Sequence, residues 1–145
     1  MVTVEREIRA SADSVWNVLA DGWLYASWVV GASRVRAVDP VWPAVGAVLH
    51  HSQGVWPLLL DDETVVKTSV PERELVLHGK ARPLGEVAIR LRIEARPAGC
   101  VVTLEEDAIA GPMQLVPAPV RAALIRPRNV ESLRRLAYLA EGGSR

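Results

Sequence analysis

The chain has 145 residues, half of them hydrophobic and 23% charged, which suits one globular domain large enough to bury a core. Seventeen basic residues balance seventeen acidic ones, so the positive excess that a nucleic-acid surface or a polybasic membrane contact needs is absent. Cys100 is the only cysteine, so no internal disulfide is possible. The opening MVTVEREIRA carries charge too early for a signal peptide, and no apolar run approaches the roughly 18 residues of a membrane span. A cytoplasmic protein without membrane insertion is expected.

In chain order, Val2 to Ile8 alternates imperfectly and reads as an edge strand. Ser11 offers an N-cap oxygen and Asp13 a negative charge in the first turn of a short helix with Val15, Trp16, Val18 and Leu19 on its apolar face. That helix ends near Asp21-Gly22. A second short helix follows, with Trp23, Leu24, Tyr25 and Trp28 as its apolar positions.

From Ser33 onward the period is two. Val35 and Val38 lie in a strand stopped by Asp39-Pro40; Val45 to Val55 and Leu58 to Val70 are the next two. Pro71-Glu72 turns into Arg73 to Ala81, and Pro83-Leu84-Gly85 turns again. Val87, Ile89, Leu91 and Ile93 then alternate with Ala88, Arg90, Arg92 and Glu94, the cleanest strand pattern in the chain. Pro97-Ala98-Gly99 is a hairpin turn. The last strand puts Val102, Leu104 and Glu106 on one face and ends at Gly111-Pro112.

Ala118 to Glu141 is a long helical run. Its apolar stripe is taken as Val120, Leu124, Val130, Leu133, Ala137 and Ala140, widened by Ile125 and Leu136. Pro127 interrupts it, giving either a kink or two helices, the second capped by Asn129. The unbroken phase of the stripe favours one kinked helix. The element order is β-α-α-β6-α, an α+β domain over residues 1–141 with a frayed tail at 142–145.

Several segments also carry a family resemblance. Ala10-Ser11-Ala12-Asp13, Val15-Trp16, Leu19, Asp21, Tyr25 and Trp28 resemble the opening of START-like proteins of the polyketide cyclase/dehydrase (SRPBCC) superfamily. The Gly46 strand, the Asp61 to Val70 strand, Pro71-Glu72 and the Gly99, Thr103-Leu104-Glu105-Glu106 strand keep the same order. The resemblance covers essentially the whole chain and implies a helix-grip fold, about seven antiparallel strands curved around a long C-terminal helix. The superfamily spans lipid carriers, hormone receptors, cyclases, oxygenase domains and co-chaperones, so it implies a fold more sharply than a function.

Function should sit in a cavity between sheet and helix. Adjacent residues on a strand face opposite ways, so only one of His50 and His51 can line it; His51, in phase with Leu49, is the inward choice. A metal site from this pair is not expected, and no cofactor is implied. Glu106, in phase with Leu104, is either an acid or base of raised pKa or the partner of a helix arginine such as Arg126. Asp61-Asp62-Glu63 reads as a solvated turn, with a base at the cavity mouth as the functional alternative. Arg90 and Arg92 point to solvent; Arg82 sits near a turn, within reach of a ligand carboxylate.

The ligand-binding set is thus Trp28, His51, Trp56, Glu106, Met113, Leu124 and Asn129, with Glu106 and His51 as catalytic candidates. Met113, Leu124 and Asn129 would flank a portal at the loose entry to the last helix. The leading function is binding of a small hydrophobic or aromatic molecule. The alternatives are a polyketide cyclase or dehydratase-like enzyme using a cavity carboxylate or histidine, and a protein-interaction module working through the outer sheet face.

Overall fold

The computed structural model describes residues 1–53, 60–81 and 85–143. Seven strands form one antiparallel sheet: β1 (Val2–Ile8), β2 (Ala32–Val38), β3 (Val48–Gln53), β4 (Leu60–Val70), β5 (Glu74–Ala81), β6 (Gly85–Arg96) and β7 (Gly99–Ala110). Their order across the sheet is β1-β7-β6-β5-β4-β3-β2, so β1 and β2 are the edges. Helices α1 (Ala12–Ala20) and α2 (Tyr25–Trp28) follow β1, and α3 (Ala118–Gly143) closes the chain. The element order is the expected β-α-α-β6-α.

Local chemistry explains the helical start. Ser11 Oγ accepts from the Ser14 N–H at 3.1 Å, capping α1, and Asp21 Oδ1 accepts from the Trp23 N–H at 3.1 Å to start a short 3-10 turn leading into α2. The apolar face of α1, Val15, Trp16, Val18 and Leu19, is buried as its spacing requires. Trp42 is also buried, and its indole N–H is satisfied by the Leu19 carbonyl at 3.2 Å.

Strand periods hold along β4 to β7. Leu75, Leu77, Ile89, Leu91, Ile93, Val102 and Leu104 face inward. On the other face Arg90 meets Glu74 at 3.9 Å, Lys80 meets Glu63 at 3.2 Å, and Arg92 pairs with Glu105. Among the described residues that outer face is laced with charge pairs.

Some boundaries differ from expectation. β3 begins at Val48, because 39–47 form successive turns, with Gly46 at a positive φ of 89°. The segments 54–59 and 82–84, including Trp56, Arg82 and the start of the Leu58 strand, lie outside the described residues. Helix α3 runs without interruption through Pro127 and extends to Gly143, two residues beyond the expected end.

The stripe of α3 needs correction. Val120, Leu124 and Val130 are 47%, 59% and 50% exposed, while the buried positions are Ile125, Asn129, Ser132, Leu133, Leu136, Ala137 and Ala140. These recur every three to four residues and define the face on the sheet. Counting apolar residues alone misplaced the N-terminal half, because two of the inward positions there are polar.

Asp61-Asp62-Glu63 also departs from the solvated-turn expectation. All three lie inside β4, and Asp62 is only 2% exposed beside Thr64 and Val66 on the inward face.

Candidate functional site

The inward faces of β3 to β7, helix α2 and the first half of α3 enclose a cavity of about 80 Å³. Trp28, Val29, Val87, Ile89 and Leu104 supply apolar wall, and Tyr25, His51, Thr64, Glu106, Arg128 and Asn129 bring polar atoms to the same space. Gly31 and the half-exposed Arg128 mark its open side.

Sheet register assembles the floor. Leu49 pairs with Thr64, Thr64 with Gly79, Gly79 with Val87 and Val87 with Ala108, forming one row across five strands. The neighbouring row runs Val66, Leu77, Ile89, Glu106 and Val2. Glu106 therefore enters an otherwise apolar row.

Tyr25, Thr64 and His51 form a connected chain. The Tyr25 hydroxyl lies 3.3 Å from Thr64 Oγ1, and Thr64 Oγ1 lies 3.0 Å from His51 Nε2. The Tyr25 ring also packs on the His51 ring at 5.3 Å and edge-on against Trp28 at 5.8 Å. Burial pushes the Tyr25 hydroxyl up to about 12, so it stays protonated at neutral pH. Burial likewise lowers the His51 pKa, with Asp62 opposing, so His51 is neutral at pH 7.

Glu106, 3% exposed, is held by Arg128 of α3. The sequence anticipated an arginine partner but named Arg126. That side chain instead donates to the Thr3 carbonyl at 3.0 Å. Two residues on a helix differ by about 200° in direction, which puts Arg126 outside and Arg128 at the cavity rim.

Two buried polar atoms have no partner among the described residues, Nδ1 of His51 and Nδ2 of Asn129. Such atoms are rare and normally cost about 1–3 kcal/mol each. Both belong to residues lining the cavity. Ser132, one turn beyond Asn129, is occupied: its Oγ accepts from the Val30 N–H at 3.1 Å and ties α3 to the segment after α2.

Of the expected site residues, the structure gathers Trp28, His51, Glu106 and Asn129 at one cavity. Met113, in a 3-10 turn before α3, and the exposed Leu124 are not among its lining residues. Tyr25, Thr64, Gly79 and Arg128 were missed as site residues. The strand phase set by Val66 would have turned Thr64 inward. Arg128 is three residues from the buried Ile125 and adjacent to Asn129, a spacing readable only once the correct face of α3 is known. Among the described residues no cluster of histidine, cysteine or carboxylate side chains is arranged to hold a metal.

The family model for polyketide cyclase / dehydrase and lipid transport matches residues 1–141. The chain belongs to this family. Its fold is shared with solved structures at low identity. A Nitrosomonas europaea protein superposes with a TM-score of 0.75 at 15% identity, covering 99% of this chain and 95% of its own. The Zhui aromatase/cyclase from a Streptomyces species gives 0.70 at 20% identity, covering 99% and 94%. The di-domain ARO/CYC StfQ from the steffimycin biosynthetic pathway gives 0.74 at 12% identity, covering 98% of this chain and 50% of that one. At these identities the likeness is one of fold. No curated protein matches the sequence. No described helix is long and apolar enough to cross a membrane.

Proposed function

We propose that this protein binds a small hydrophobic or aromatic molecule in the cavity between the sheet and α3. The observation that carries the reading is the pair of unpartnered buried nitrogens, His51 Nδ1 and Asn129 Nδ2, at a cavity whose wall also carries Trp28, Val29, Val87, Ile89 and Leu104. A ligand polar atom placed between them removes a standing penalty, while the ring of apolar side chains supplies affinity. Membership of a family of cyclases and lipid transporters supports the same reading. Native mass spectrometry of the protein purified from its own host tests it. Retention of a small hydrophobic molecule is the expected result; a consistently empty protein overturns it.

A second reading draws on the Tyr25-Thr64-His51 chain. A neutral His51 whose Nε2–H donates to Thr64 keeps a free lone pair at Nδ1. That lone pair takes a proton from an enolisable carbon and returns it to the product, as a cyclase or dehydratase requires. Glu106 is less suited to this role because Arg128 occupies it. Deuterium exchange into ethyl acetoacetate separates the readings. A carrier leaves the buffer rate unchanged, whereas a catalyst accelerates it and loses that acceleration in His51→Gln.

A further inference from the structure

Gly79 is the unusual residue in the cavity floor. It lies inside β5, on the inward phase with Leu75 and Leu77, and has none of the positive φ that marks the glycines at turns. Backbone freedom therefore does not account for it. Space does: a Cβ there would stand 3.2 Å from Thr64 Oγ1 and 3.6 Å from Val87 Cγ2. In the row from Leu49 to Ala108, Gly79 is the one position contributing no side chain. The gap lies directly beside the Thr64 hydroxyl.

Size then limits what fits. A water needs at least roughly 10–15 Å³ of accessible space and claims about 30 Å³ in the liquid. On the accessible-space bound the 80 Å³ cavity takes about five to eight non-hydrogen atoms. That is one ring with one substituent. A long acyl chain or a fused polycycle would have to extend through its open side.

The polar atoms limit the substituent. With its Nε2–H donated to Thr64 Oγ1, a neutral His51 keeps Nδ1 as an open acceptor. Asn129 Nδ2 is an open donor. One acceptor and one donor at the same cavity match an oxygen that both donates and accepts, namely a hydroxyl. Glu106 and Arg128 cancel each other's charge, so the site favours an uncharged ligand over an anion or a cation.

We infer that the cavity selects an uncharged single-ring molecule bearing a hydroxyl, of the phenol class, with the ring seated over Gly79 and the oxygen shared by His51 Nδ1 and Asn129 Nδ2. This rests on the small-molecule reading above and narrows it to a ligand class. Gly79 is then a specificity residue, since its missing side chain sets the depth to which the ring enters. His51 and Asn129 read the hydroxyl.

Calorimetric titration of the intact protein with 4-methylphenol, toluene and 1-hydroxypyrene tests this. Wild type should bind 4-methylphenol about three- to tenfold tighter than toluene, the worth of one net hydrogen bond. 1-Hydroxypyrene should bind at least about tenfold more weakly than 4-methylphenol. Asn129→Leu should reduce the preference for the phenol over toluene. Gly79→Ala should weaken both single-ring probes at least about threefold, and Gly79→Val should abolish them. Far-UV circular dichroism and the urea midpoint check that each variant folds, and the alanine variant carries the test if the valine variant does not. Equal affinity of Gly79→Ala and wild type overturns the inference, as does 1-hydroxypyrene binding as tightly as 4-methylphenol. That second result leaves the small-molecule reading standing. Wild type binding none of the three overturns the inference, and the native mass spectrum of the host-purified protein then decides the small-molecule reading.

Discussion

The two halves of α3 share one helix and do opposite work. In the C-terminal half, Leu133, Leu136, Ala137 and Ala140 are each at most 2% exposed and join the hydrophobic core with Val15, Trp16 and Leu19 of α1. In the N-terminal half only Ile125 contributes a fully apolar buried side chain, and the next inward positions, Asn129 and Ser132, are polar. The first half walls a cavity; the second closes a core. A continuous helix lets the packed half hold the other in place without filling the space beneath it, as a preorganised site requires.

Substitutions along the helix should break that division cleanly. Leu136→Ala removes a fully buried side chain and should cost about 2–5 kcal/mol in urea unfolding. Arg128→Ala leaves the Glu106 carboxylate buried without its partner and should cost about 3 kcal/mol. Glu106→Gln should cost less, because the half-exposed Arg128 side chain can be hydrated instead.

The cavity half should also declare itself through pH. Tyr25 titrates near 12 folded and near 10 unfolded, so the unfolded chain releases its proton first as pH rises. Stability should therefore fall between pH 10 and about 12 by about 2–3 kcal/mol more in wild type than in Tyr25→Phe. His51 has the converse behaviour. Its folded pKa lies below the unfolded value, so on acidification the unfolded chain takes up the proton first. Stability should decline as pH drops below about 6.5, and His51→Gln should flatten that decline in urea midpoints taken between pH 7 and 5. The smallest effect belongs to Leu124→Ala, which should change stability by no more than about 0.5 kcal/mol despite removing a leucine.

The same two halves mark where the sequence could be read. Alternation in β6 and β7 placed Ile89, Leu91, Leu104 and Glu106 inward, and phase with Leu49 chose His51 over His50, because each inference used only neighbours along one strand. Thr64 and Gly79 became site residues through pairing between strands, Leu49 with Thr64 and Thr64 with Gly79, which no single segment encodes. Asp62 hid in a run of acids that looks solvated but is inward every second residue. Leu124 misled for the reverse reason: it is apolar, at helical spacing, and exposed. A cavity lined by polar groups inverts the rule that buried means hydrophobic, so the helix pattern is truest over the core and weakest over the site.

The most direct measurement of this division is a heteronuclear NMR titration of the whole protein with 4-methylphenol, following side-chain amides, imidazoles and methyls together. The account predicts shifts at the Asn129 amide, the His51 ring and the methyls of Val87, Ile89 and Leu104, with Leu133 and Leu136 unmoved. Shifts confined to Val120, Leu124 or the outer sheet face, with Asn129 and His51 silent, would contradict it.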